Sequence, residues 1–203
     1  MGTLFIVSAP SGTGKTSLVA AMVESLPNML VSVSHTTRPI RPGEVDGVNY
    51  HFLAKNAFKQ QIKQADFLEH AEVYGHYYGT SKDWVNKRLS AGKDVILEIE
   101  WQGAQQVREQ VPDAVSIYIL PPTKKALEKR LNARGQDNPE VIAARLKMAG
   151  EEAKHYTEYD YLVVNDQFEI ALSDLRSIVR AHHCKQPKQA RRLASLIRQL
   201  TKS

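Results

Sequence analysis

Apolar residues recur along this chain in two rhythms. Leu4, Phe5, Ile6 and Val7 form a short unbroken run, the pattern of a strand buried on both faces of a parallel sheet. From Lys15 onward, Leu18, Val19, Met22, Val23 and Leu26 repeat at helical spacing and stop before Pro27, as a helix packed on a sheet does. Further strand-like runs fall at 30–33, 94–98, 115–120 and 161–164. Helical patterns separate the later ones: 102–111 sets Ala104, Val107 and Val111 on one face, and 167–183 does so with Phe168, Ala171, Leu172, Leu175, Ile178 and Val179. Strands alternating with helices predict an α/β fold, with five parallel strands at its centre and helices on both faces.

Two stretches break this rhythm. Residues 34–90 mix arginines, glycines and aromatics around strand-like pieces at 49–53 and 67–73 and a helix-like piece at 55–64, and read as an inserted lobe. Residues 124–156 are strongly charged, with Asn138 as a helix N-cap and Pro139 as a first helical residue, and read as a helix–loop–helix excursion. The core then comprises 1–33, 91–123 and 157–203. A last amphipathic pattern follows Pro187, with Ala190, Leu193, Leu196, Ile197 and Leu200 on one face of a helix over 188–202.

Charge alters this picture at one end only. The chain of 203 residues has 27 Lys and Arg against 22 Asp and Glu. Eight of the cations follow Asp174, the last acid, so residues 1–174 hold 19 cations against 22 acids, a net −3. A mildly acidic body lacks the broad basic face of a nucleic-acid binder, and no partnership with nucleic acid is expected. The basic tail, opposite in sign to the body, is a candidate for a salt-sensitive contact with a second copy of the chain. No segment reaches the roughly 18 apolar residues of a membrane span. The opening residues lack the features of a signal peptide, and Cys184 is the single cysteine, so the expected setting is reduced and cytoplasmic.

Between the first strand and first helix lies Ala9-Pro10-Ser11-Gly12-Thr13-Gly14-Lys15-Thr16. It fits the phosphate-loop pattern G-x-x-x-x-G-K-[ST] at Gly14, Lys15 and Thr16, with Ala9 in place of the first glycine. Glycines let backbone N–H groups turn inward around a polyphosphate, the helix N-terminus adds partial positive charge, Lys15 reaches the outer phosphates, and the Thr16 hydroxyl is a Mg²⁺ ligand. The alanine matters only if position 9 requires a positive φ.

The acceptor side is written in Ser34-His35-Thr36-Thr37-Arg38-Pro39-Ile40-Arg41-Pro42-Gly43-Glu44, followed by Val45 to Phe52. Arg38 and Arg41 beside prolines form a stiff, donor-rich loop suited to a phosphate, and Tyr50 offers a hydroxyl to the same anion. This stretch resembles the GMP-binding lobe of guanylate kinases. The likeness continues through Phe67-Leu68-Glu69-His70-Ala71, Tyr77-Tyr78-Gly79-Thr80-Ser81 and Ile96 to Gly103. It extends to Arg130, Arg134, Arg145 and Val164-Asn165-Asp166, nearly the whole chain to about His183.

The resemblance implies the nucleoside monophosphate kinase fold and ATP-dependent phosphorylation of GMP, and of dGMP, by direct in-line transfer. It implies that Arg38, Arg41, Tyr50 and Tyr78 hold the GMP phosphate, with Glu44 in the same lobe, and that Ser34, Glu69 and Thr80 read the guanine. A carboxylate suits that task, since it accepts from both the N1–H and the 2-amino group, donors that adenine lacks at those positions. Glu98 and Glu100, where relatives often carry aspartate, belong to the site as water-mediated Mg²⁺ holders or guanine contacts. Residues 9–16, Asn165 and Asp166 go to ATP, with 34–90 as the GMP lobe and 124–156 as the lid.

Phosphoryl transfer needs positioning and charge neutralisation rather than a general base. The expected cations are Lys15, Mg²⁺, Arg38, Arg41 and the lid's Arg130, Arg134 and Arg145. Two other classes share parts of the pattern. Guanylate-kinase-like modules of scaffold proteins bind peptides without catalysis, typically with a degraded phosphate loop, whereas Gly14, Lys15 and Thr16 are intact here. A related kinase acting on another phosphorylated molecule would not need Ser34, Glu69 and Thr80 together.

Overall fold

The structure, a computed structural model, describes residues 1–73, 75–133 and 139–202. β1 (Leu4–Ser8) is buried along its length. It leads through the glycine-rich loop into α1 (Lys15–Ser25), and β2 (Met29–Val31) follows. Then come β3 (His35–Thr36), β4 (His51–Phe52), α2 (Lys55–Lys63), β5 (Phe67–Val73), β6 (His76–Ser81) and α3 (Lys82–Ser90). The chain returns as β7 (Asp94–Glu98), α4 (Trp101–Gln110) and β8 (Val115–Leu120). α5 (Lys124–Ala133), α6 (Pro139–Ala153) and a 3-10 turn at Lys154–Glu158 precede β9 (Tyr161–Val164), α7 (Phe168–His183), α8 (Gln186–Arg192) and α9 (Ala194–Thr201).

Five strands form one sheet in the order β2-β7-β1-β8-β9, every pair parallel. Alternation along β1 splits the core in two. Phe5 and Val7 face Leu18, Val19 and Met22 of α1 and Leu172, Leu175 and Val179 of α7. Leu4 and Ile6 face Val85 and Leu89 of α3 and Ala104 and Val107 of α4. Each such side chain, taken fully out of water, contributes about 1.5–3 kcal/mol, so the central strand is held from both sides. Its carboxyl end delivers the loop at the sheet's crevice, where open α/β sheets place ligands. The register pairing Val7 with Glu98 sets the end of β7 beside the start of that loop.

A second sheet, β4-β3-β6-β5, is built from residues 35–81, and α5 and α6 join through Leu127, Leu131, Ile142 and Ala149. The strand expected at 30–33 ends two residues early, at Val31. The single terminal helix expected over 188–202 is instead α8 and α9, interrupted at Leu193 (φ −101°, ψ 16°). Neither helix has a fully buried side chain, and a short helix without packing lacks what would keep it continuous. Asn138, the expected N-cap, lies outside the described residues. Among the described residues no helix is long and apolar enough to cross a membrane.

Candidate active site

The start of α1 is built for an anion. Its N-cap is Gly14 in the left-handed conformation (φ 95°), with no side-chain cap and no acid in the first turn, so the first N–H groups keep no internal acceptor. Gly12 also has positive φ, 89°, and a Cβ at Gly14 would stand 2.6 Å from Asn165 Nδ2. Ala9 is buried, and Ala65 is the one non-glycine residue with positive φ among the described residues. Position 9 therefore makes no demand that alanine fails to meet.

Two acids face this loop with separate partners. Glu98 Oε1 accepts from the Thr16 hydroxyl, and Glu100 Oε1 accepts from Lys15 Nζ at 3.3 Å. Lys15 Nζ also reaches the Ile99 carbonyl at 3.5 Å. Burial favours the neutral amine, but Glu100 and Glu98 outweigh it and raise the Lys15 pKa, so the ammonium stays charged at neutral pH. Thr16 and the two carboxylates make an all-oxygen set of the kind that suits Mg²⁺, which takes one or two carboxylates and completes its shell with water and substrate phosphate. Among the described residues no cluster of three or more His, Cys, Asp or Glu could hold a metal alone.

Across the cleft, Arg38 is buried, and its guanidinium grips Glu44 with both forks, NH2 to Oε1 at 2.7 Å and NH1 to Oε2 at 3.0 Å. Glu44 also accepts from the Arg41 N–H at 2.8 Å. The Arg38 hydrogen bonds hold the Glu44 carboxyl below its ordinary pKa. Thus Glu44 orients Arg38 and the backbone of Arg41. Tyr50 and Tyr78 stand edge to face with centroids 6.0 Å apart, and the Arg38 guanidinium lies 5.3 Å from the Tyr50 ring centre. Glu69 is 4% exposed and accepts from the Thr80 hydroxyl at 2.6 Å. Burial pushes its pKa up to about 7, although the Thr80 hydroxyl and N–H pull the other way.

One cleft of about 590 Å³ unites these groups. Its walls include residues 9–16, Ser34, Arg38, Arg41, Glu44, Tyr50, Glu69, Tyr78, Glu98, Glu100 and Arg145. A smaller cavity of about 380 Å³, bordered by Gln61, Asp66 and Lys82, holds none of them. The family model described as guanylate kinase matches residues 1–182. The chain belongs to the guanylate kinase family. It is 57% identical to the guanylate kinase of Vibrio parahaemolyticus over 198 residues, covering 97% of this chain and 96% of that one. Identity to the guanylate kinase of Alcanivorax borkumensis is 56% over 199 residues, covering 98% and 96%. The crystal structure of guanylate kinase from Anaplasma phagocytophilum superposes with a TM-score of 0.77 at 32% identity, over 91% of this chain and 88% of that one. The two-sheet architecture is accordingly the guanylate kinase form of the phosphate-loop nucleoside monophosphate kinase fold.

Several residues that the family resemblance assigns to the nucleotides are absent from the cleft wall. Thr80 is buried behind Glu69. Asn165 donates to the Thr13 carbonyl at 2.7 Å, and Arg130 donates to the same carbonyl at 3.2 Å and to Asn165 O at 2.9 Å. These two residues clasp the loop from outside. Asp166 is exposed beyond them, and Arg134 lies outside the described residues.

Glu152 of α6, which sequence reasoning passed over, lines the cleft. Burial and Glu100 raise its pKa to about 7 against the pull of Lys15 and the Ser11 N–H. Nothing local distinguishes it, since it sits among the charges of an amphipathic helix. His155, just beyond, stacks on Trp101 with ring centres 3.6 Å apart.

Proposed function

We infer that the protein catalyses the ATP-dependent phosphorylation of GMP to GDP, and the observation that carries this is the joining of two unlike halves in one cleft. One half is an uncapped, glycine-lined helix N-terminus with Lys15. The other sets Arg38, Arg41, Tyr50 and Tyr78 beside the buried carboxylate of Glu69. Family membership and the intact Gly14-Lys15-Thr16 stand against the reading as a binding module without catalysis.

In the reaction, an oxygen of the GMP phosphate forms a bond to the terminal phosphorus of ATP. The bond from that phosphorus to the bridging oxygen breaks, and ADP leaves with the electron pair. The acceptor phosphate is largely a dianion at neutral pH, so no base is required. The loop N–H groups and Lys15 hold the donor's outer phosphates, while Arg38, Arg41 and the tyrosines hold the acceptor in line. Arg38 enters this task already oriented by Glu44, which lowers the entropy cost of placing it. Glu69, held by Thr80, takes the guanine N1–H and 2-amino group, with Ser34 beside it. Thr16, with Glu98 or Glu100 acting through water, would hold Mg²⁺, which would supply charge neutralisation at the transferred group.

We assign 34–90 to the GMP lobe and 124–156 to a lid bringing Arg134 and Arg145 to the transferred group and excluding water. Arg130 and Asn165 keep the loop in shape, and Asp166 borders the donor. The same reading extends to dGMP as acceptor, which the assay below can include. The setting is the cytoplasm, and the basic tail is a contact for a second copy of the chain, whose salt dependence sedimentation would measure.

A coupled assay with ATP and Mg²⁺ against GMP, AMP, CMP and UMP tests the reading. Strong preference for GMP is expected. Equal turnover of AMP, or turnover of none, overturns it.

A further inference from the structure

β5 is the outer strand of its sheet, and its start breaks the alternation of a strand. Phe67, Leu68 and Glu69 are all buried. The ladder to β6 slips there, pairing Phe67 and Glu69 with the adjacent residues Ser81 and Thr80. Such a bulge adds one residue to a strand and re-aims its side chains. Leu68 turns into the core beside Val85 and Val107, and Glu69 comes to the cleft.

A bulged outer strand leaves backbone groups without strand partners. α4 supplies them. Gln110 Nε2 donates to the Leu68 carbonyl at 2.7 Å. Gln106 Nε2 donates to the His70 carbonyl at 2.8 Å, and its Oε1 accepts from the His70 N–H at 3.1 Å. Three bonds thus bracket Glu69 on both sides. One turn before Gln106 on α4 stands Gly103, where a Cβ would lie 2.4 Å from Glu69 Oε2 and 3.0 Å from its Cδ. Glycine weakens a helix relative to alanine, and here the missing side chain is the room the carboxylate occupies. Gly103, Gln106 and Gln110 follow the i, i+3, i+7 spacing of one helix stripe.

We propose that this stripe of α4 is a positioning element for base selection: it fixes the bulge and seats the Glu69 carboxylate where guanine meets it. The inference rests on the assignment of Glu69 to the guanine ring. Gly103, Gln106 and Gln110 are positioning residues, acting on the base through Glu69.

Steady-state kinetics with GMP, and with IMP, whose base lacks the 2-amino group, test this. Gly103→Ala is expected to raise the GMP KM about tenfold, equivalent to about 1.4 kcal/mol, and to narrow the preference for GMP over IMP, with kcat and the ATP KM changed less than about twofold. On a Glu69→Asp background, where the shorter side chain withdraws the carboxylate, the same substitution should change the GMP KM by less than about twofold, the signature of direct coupling. Equal effects on both backgrounds, or an ATP KM that rises in step, overturn the proposal. Should Gly103→Ala not fold by thermal melting, Gln106→Ala with Gln110→Ala carries the test: a GMP KM raised about threefold or more supports the proposal, and an unchanged one overturns it. Absence of GMP turnover in the unaltered protein would instead remove the assignment of Glu69 to guanine, before any variant is made.

Discussion

The donor half of the cleft is made of backbone and the acceptor half of side chains. At the loop, recognition comes from N–H groups freed by Gly12 and Gly14 at the head of α1, with one ammonium added. Across from it, Arg38, Tyr50, Glu69 and Tyr78 come from four separate places in 38–78 and are held by neighbouring side chains, as Arg38 is by Glu44 and Glu69 by Thr80. A backbone site reads charge and tolerates many nucleotides; a side-chain site with a buried carboxylate discriminates among bases. The difference locates specificity on the acceptor side.

The largest effect that tests this contrast is Lys15→Ala. Loss of the ammonium proposed to hold the donor's outer phosphates should lower kcat about a thousandfold while leaving GMP affinity nearly intact. A GMP Kd that collapsed together with kcat in calorimetry would show the two halves to be one.

Next comes the pH dependence of Glu69. Burial holds it protonated up to about pH 7, and the carboxylate form accepts both guanine donors. Relative to Glu69→Gln, kcat/KM for GMP should therefore rise as pH increases through about 7. The comparison removes the titration of the GMP phosphate near ~6, which both proteins share. Stability carries the opposite sign. The folded pKa lies above the unfolded value of about 4.3, so the folded state binds more protons between about pH 4.3 and 7 and stability falls as pH rises through that window. Glu152, raised to about 7 as well, contributes in the same direction, and Glu69→Gln should flatten the slope in part.

The smallest expected effect is Ala9→Gly. Position 9 does not adopt positive φ, so activity should stay within about twofold, while added freedom in the unfolded chain costs about 0.4–1 kcal/mol in a melt.

The same contrast explains what was legible before folding. Leu4 to Val7, the glycine loop and the α1 face lie within one short stretch of sequence, and local pattern sufficed for them. The acceptor residues are dispersed, and only their order along the chain, matched to a family, brought them together. Contacts across long separations left no trace: Gln110 on Leu68 spans 42 residues, and Gln106 looked like any polar position of an amphipathic helix. Glu98 and Glu100 read as one pair, and only the structure divides them between Thr16 and Lys15. The break at Leu193 was equally hidden, because its apolar spacing runs on unchanged while the packing that would sustain it is missing.

The clasp of Arg130 and Asn165 on the Thr13 carbonyl bears on how relatives are judged. A descendant that abandoned phosphoryl transfer but kept a folded loop would still have reason to retain both residues, since their partners are main-chain atoms of the scaffold. Their presence in a diverged homologue is thus no witness to surviving enzymatic activity, and Lys15 is the better one.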